Sequence, residues 1–214
     1  MKNSTKSIRV LTESAILVAM AIVLSLFQPF SLPFGGSITI ASMLPIVYLA
    51  WHRGVKAGLL GGFVFGVANL LLGYHTVSAM FLPGDAKQPL LYAICIILLD
   101  YLIAYTVIGF AGVFRNKCKP TAALILGTLV GLGLRYLSHI LSGYLFFGAW
   151  AEWFFTQETL GAFGTYMLSH FHGNLLSLLY SVIYNGTYMI PEMIITVLLS
   201  IPLSKIPKLT ERNS

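Results

Sequence analysis

Apolar residues in this chain run in long blocks, not in the strict alternation of a half-buried strand or the narrow stripe of a surface helix. Six blocks stand out, at roughly residues 10–28, 37–52, 55–72, 90–114, 121–148 and 175–204. Apolar runs of this kind match the hydrocarbon thickness of a bilayer. The pattern predicts an all-α membrane protein of six transmembrane helices, forming a single integral membrane domain over residues 1–214. The second and third spans are short and nearly abut, and His52, Arg53, Gly54 and Lys56 at their join predict a tight cytoplasmic turn. Longer connections are expected at 29–36, 73–89 and 149–174. The last of these holds Trp150, Trp153, Phe154, Phe155, Phe163, Tyr166 and Phe171. Such residues suit an aromatic belt at the membrane interface, or a lid over an outward-facing pocket. The start of the chain, with Lys2 and Lys6, could imitate a signal peptide, but the long apolar run and the spans after it predict a retained first helix.

Composition removes the soluble alternatives. Of 214 residues 57% are hydrophobic and only 9% charged, whereas a soluble domain carries about a quarter charged residues. The net charge of +6 is spread over short connections and termini, which argues for membrane orientation and against nucleic acid. Eleven of the 13 Lys and Arg residues fall on one side of the six-span arrangement. Only Lys87 falls on the other side, and Arg135 lies inside a span. That asymmetry predicts cytoplasmic N- and C-termini and extracellular long connections. Cys95 and Cys118 are separated by a helix of roughly 35 Å, too far for a disulfide. Small-residue ladders at Gly58, Gly62 and Gly66, at Gly127 and Gly131, and at Ala15 and Ala19 mark close helix contacts, within the chain or with a second membrane subunit.

Five titratable groups sit at or near membrane depth: Glu13, Asp100, Arg135, His139 and Glu192. Such groups are costly in lipid and face cavities or partners. Counting about 1.5 Å per residue from the outer ends of the spans places Asp100 about 15 Å down, His139 about 14 Å, Tyr180 about 8 Å and Asn185 about 15 Å. Arg135, His139, Gly143 and Phe147 recur every four residues and share one helix face. They make either a wall for a flat heteroaromatic ligand, with Gly143 as the gap that admits a ring, or a helix interface with a satisfied histidine. Tyr180 and Asn185 lie about 140° apart on a regular helix, and Gly186 permits a distortion that would bring them together. Asp100 is the natural counter-ion for a cationic ligand. Arg135 competes for it, or pairs with Glu192. His170 and His172 lack further ligands for a metal. No phosphate-binding GxxxxGK[ST] loop is present, and no Ser, Cys or zinc constellation points to an enzyme. No cofactor is expected.

Several local patterns together resemble one family. They are Gly35-Gly36-Ser37-Ile38 followed by Met43-Leu44-Pro45, then His52-Arg53-Gly54, and Leu99-Asp100-Tyr101 with Ala104. Arg135-Tyr136 with His139 and Gly143 follows, then Tyr180-Ser181 with Tyr184-Asn185-Gly186. In this order and spacing they resemble the thiamine-specific substrate-binding subunit, or S-component, of energy-coupling factor (ECF) transporters. The resemblance implies a six-helix S-component bundle in the prokaryotic plasma membrane that takes thiamine from outside at high affinity. It also implies a partner transmembrane coupling subunit and two ATPase subunits. Carried over residue by residue, the pocket falls on Asp100, Tyr101, His139, Tyr180 and Asn185, with Ser177 beside them. Gly143 continues the wall, and Phe147 stands where a ligand-stacking tryptophan is expected, a role that Trp150 or Trp153 could take instead. Tyr74 corresponds to an outer-loop tyrosine. Ala15 and Ala19 match the motif with which such subunits dock on the partner. The alternatives are an S-component for a precursor such as hydroxymethyl-pyrimidine, a stand-alone proton-coupled vitamin carrier using Asp100 or Glu192, and a membrane-embedded enzyme or scaffold.

Overall fold

A computed structural model describes residues 2–32 and 36–206. Gly35, and Lys208 and Arg212 among the eleven basic residues counted on one side, lie outside the described residues. The chain folds as α1 (Lys2–Ser25), a two-stranded antiparallel hairpin of β1 (Phe30–Ser31) and β2 (Ser37–Ile38), α2 (Leu44–Arg53), α3 (Val55–Leu72) and α4 (Tyr74–Ala79). Then come α5 (Leu90–Phe114), α6 (Pro120–Phe146), α7 (Ala151–Phe155), α8 (Gly161–His170) and α9 (Gly173–Leu203). Among the described residues five helical stretches are long and apolar enough to cross a bilayer: Ser7–Ser25, Val55–Leu72, Leu90–Phe114, Pro120–Phe146 and Gly173–Leu203.

The second expected span, 37–52, has a different form. Its first part is β2 and a turn, and only Leu44–Arg53 is helical, about 15 Å of helix. The helix cannot grow backward. Pro45 occupies its first turn, where a missing N–H does no harm but beyond which its ring blocks further winding. Ala41 adopts φ 55°, the left-handed region that helices exclude. The non-helical backbone is held from inside: Glu192 of α9 accepts the Thr39 backbone N–H at 2.7 Å and also takes the Thr39 hydroxyl. Glu192 is only 1% exposed.

The core sits where α1, α2, α3, α5 and α6 meet, around Trp51, Phe65, Ile108, Leu124 and Leu132. Gly66 lets α3 lie against α5: a Cβ there would stand 2.7 Å from the Tyr101 carbonyl oxygen. The ladders at Gly58–Gly66 on α3 and Gly127–Gly131 on α6 are thus spent inside the chain, the first on α2 and α5 and the second on α5. Ala15 and Ala19 are exposed on α1, beside Leu11 at 70% and Ile16 at 56%. The aromatic connection 149–174 is folded. Phe155 and Met167 bury against Leu176 and Tyr180 of α9, while Trp153, Phe163 and Tyr166 point outward. Both cysteines are free.

Candidate ligand-binding site

The winding of α5 changes where the site lies. It is α-helical over Leu90–Ile97, π-helical over Leu98–Ile103, α-helical again over Ala104–Thr106 and 3₁₀ over Val107–Phe114. A π segment inserts a residue into the helix and frees a carbonyl from the regular ladder, and such segments gather at functional sites. Here the Leu99 carbonyl accepts the Ser138 hydroxyl of α6 at 2.7 Å. The irregular winding thus lies in α5, while α9 winds regularly past Gly186, where the sequence permits a distortion.

Asp100 stands in the π segment and reaches α6. Ser142 donates its hydroxyl to Asp100 Oδ2 at 2.6 Å, and His139 Nδ1 lies 2.9 Å from Asp100 Oδ1. On the other side of the ring, Arg135 Nε donates to His139 Nε2 at 3.3 Å. Arginine has no acceptor, so Nε2 must accept. The imidazole proton then sits on Nδ1, and the ring is a neutral bridge between guanidinium and carboxylate. Arg135 also contacts the Met43 sulfur and lies 4.3 Å from the centroid of the Tyr105 ring. It forms no ion pair with Glu192, whose carboxylate is turned to Thr39. The direct Arg135–Glu192 pair considered from sequence gives way because His139, one turn along the same helix, is nearer to hand.

The third wall is α9. Asn185 Nδ2 donates to the Ser181 carbonyl at 2.8 Å and lies 3.3 Å from the His139 carbonyl. Tyr188 donates its hydroxyl to Asn185 Oδ1 at 2.6 Å, and its ring meets His139 edge-on with centroids 5.9 Å apart. Tyr180 and Tyr184 pack on Phe154. Gly143 does something other than admit a ligand ring. A Cβ there would collide with the Ser181 hydroxyl and stand 3.1 Å from Asn185 Nδ2, so the gap lets α6 and α9 close on each other.

These groups surround a cavity of about 330 Å³, within the range of small-molecule sites. Of the residues expected to bind, Asp100, Tyr101, His139, Gly143, Phe147, Trp150, Tyr180 and Asn185 all line it. Two do not. Ser177 spends its hydroxyl on the Gly148 carbonyl at 3.2 Å, and Tyr74 is 65% exposed at the start of α4. Tyr105, Tyr184 and Tyr188 also line the cavity without having been singled out. The four-residue period that groups Arg135 with His139 joins Tyr101 to Tyr105 and Tyr180 to Tyr184 and Tyr188, so a signal was there. Ser37 enters from β2, and Asp85 and Gln88 from the connection between α4 and α5; none of them carries such a periodic signal. Among the described residues no three His, Cys, Asp or Glu side chains gather as metal ligands.

A family profile described as thiamine transporter protein (Thia_YuaJ) matches residues 11–153. The chain belongs to the thiamine transporter protein family. Within this family it is similar to thiamine transporter ThiT of Bacillus subtilis (strain 168), with 31% identity over 205 residues, 90% of this chain and 88% of that protein. Similarity extends to thiamine transporter ThiT of Lacticaseibacillus paracasei, with 27% identity over 156 residues, 68% of this chain and 72% of the other. The fold is that of a solved ThiT structure from Listeria monocytogenes, with a TM-score of 0.66 and 24% identity, covering 96% of this chain and 98% of that one. Family membership and the apolar helices make this a multi-pass cell-membrane transport protein, not an enzyme.

Proposed function

We propose that this protein is the high-affinity thiamine-binding subunit of an ECF-type uptake transporter. The observation that carries this reading is the aromatic-walled cavity between α5, α6 and α9, with Asp100 and His139 at its inner face. Thiamine offers a flat aminopyrimidine with donors and acceptors and a cationic thiazolium ring. Tyrosine, phenylalanine and tryptophan faces attract both rings, the cationic one by its charge as well. Asp100, Tyr101, Tyr180 and Asn185 would hydrogen-bond the polar edges, and His139, Phe147 and Trp150 would pack on the rings. The named relatives, thiamine transporters in two species, support the choice of ligand.

In this reading the energy for transport comes from other chains. The sequence has no nucleotide-binding loop, which supports a role beside a membrane coupling subunit and two ATPases. The exposed small-residue face of α1, at Ala15 and Ala19, is the docking surface in this reading. Six crossings with both termini inside also follow from it. In this reading the second crossing combines the ten residues of α2, about 15 Å of helix, with the strand and turn of residues 37–43. Extended backbone is tolerated at such depth where protein buries it, and Glu192 meets the Thr39 N–H there. A ligand that binds only the folded state raises its melting temperature. Purified protein should melt higher with thiamine than without, and a screen of vitamins in which thiamine causes no shift would remove this reading.

A further inference from the structure

Three charged side chains line the cavity: Asp85, Asp100 and Arg135. The two inner ones are already matched. Arg135 donates to one nitrogen of His139, and the other faces Asp100. With a neutral imidazole between them, this relay has no net charge. A cationic ligand entering the cavity therefore finds an internally balanced inner wall, and any net attraction must come from elsewhere.

Asp85 is the charge left over. It follows Gly84, whose φ of 151° turns the chain, in the connection between α4 and α5. Backbone bonds close this loop: Lys87 N to the Gly84 carbonyl at 3.1 Å and Gln88 N to the Met80 carbonyl at 2.9 Å. Met80 in turn is buried against Ala93 and Ile96 of α5. Asp85 is exposed yet lines the cavity, which puts it at the rim. Among the described residues the ion pairs are Arg9–Glu13, Arg53–Glu13 and His139–Asp100, so Asp85 is in none. Lys87 is near in sequence but does not line the cavity. Glu192 is turned away toward Thr39.

Resting on the thiamine reading, we propose that Asp85 sets the charge selectivity of the site, favouring the thiamine cation over its phosphate esters. With Asp85 the lining carries a net charge of −1, which a monocation neutralises. A phosphate monoester adds about −1.5 to −2 at neutral pH, and such a ligand meets repulsion at the rim. Because Asp85 is exposed, its effect is that of a screened charge, worth roughly fivefold at contact distance in water and less at high salt.

The test compares binding of thiamine and of thiamine monophosphate to the whole protein and to Asp85→Asn, by calorimetry at low and high ionic strength. In the unaltered protein thiamine binds more tightly. In Asp85→Asn thiamine weakens, the monophosphate tightens, and the ratio of their dissociation constants falls about tenfold at low salt. The fall shrinks at high salt, and Asp85→Glu restores the ratio. An unchanged ratio, an equal shift for both ligands, a fall that persists at high salt, or a failure of glutamate to restore it overturns the proposal. Melting temperatures of the variants separate these outcomes from misfolding. If the unaltered protein binds neither compound, the thiamine reading itself fails and takes this one with it.

Discussion

His139 Nδ1 stands 2.9 Å from Asp100 Oδ1, and this contact ties α6 to the π-wound part of α5. It makes Asp100 both a structural partner and a ligand candidate. The two roles separate in an isosteric variant. Asparagine at position 100 can still accept from His139, but the Arg135 charge then goes unmatched inside the cavity.

Asp100→Asn should weaken thiamine binding by roughly 10- to 100-fold, the loss of a charged hydrogen bond, with a smaller change in melting temperature. Calorimetry checks the affinity. A dissociation constant equal to that of the unaltered protein would remove Asp100 from the site.

Ala15→Trp should leave thiamine affinity intact and stop uptake in cells, because a large side chain on the exposed face of α1 blocks close helix approach. Radiolabelled uptake with the partner subunits present is the measurement. Normal uptake would show that this face is not used for docking.

Gly143→Ala places a methyl group against the Ser181 hydroxyl. Overpacking of this kind destabilises by about 1–3 kcal/mol, read as a lower melting temperature in detergent. Gly143→Ala combined with Ser181→Gly should recover much of the loss, since the collision partner is gone. No recovery would mean that the collision with Ser181 is not the source of the loss.

Glu192→Leu removes both acceptors that hold Thr39 and leaves a buried N–H unpaired, a loss of about 1–3 kcal/mol. Glu192→Gln keeps an acceptor for that N–H and should lose much less. Thermal unfolding of the two variants decides it. Equal losses would point to the charge of Glu192 and not to its hydrogen bonds.

What the sequence made legible follows from helical geometry. Arg135, His139, Gly143 and Phe147 repeat every four residues, and a regular α6 stacks them on the cavity side. Shared depth pointed to Asp100, because it counts only rise per residue, which survives local distortion. Azimuth does not survive it. The π segment has no mark in Leu98–Ile103, an ordinary apolar run around one carboxylate, so the direction in which Asp100 points was not readable. Nor was the broken form of 37–53, where apolar composition looked like a helix and the decisive partner, Glu192, lies 153 residues away from Thr39. Loop residues such as Asp85 reach the cavity by a path that tertiary contacts set.

The widened turn of α5 also makes one spot of the chain tolerant of a length change. Deleting a single residue between Leu98 and Ile103 would restore regular winding and leave the flanking helical segments close to their present faces. Ala93 and Ile96 would keep their cluster with Met80. A deletion of the same size within regularly wound α6 has no such slack to remove and turns one half against the other by about 100°. Register here is stored as one surplus residue, kept in place by the hydroxyl of Ser138.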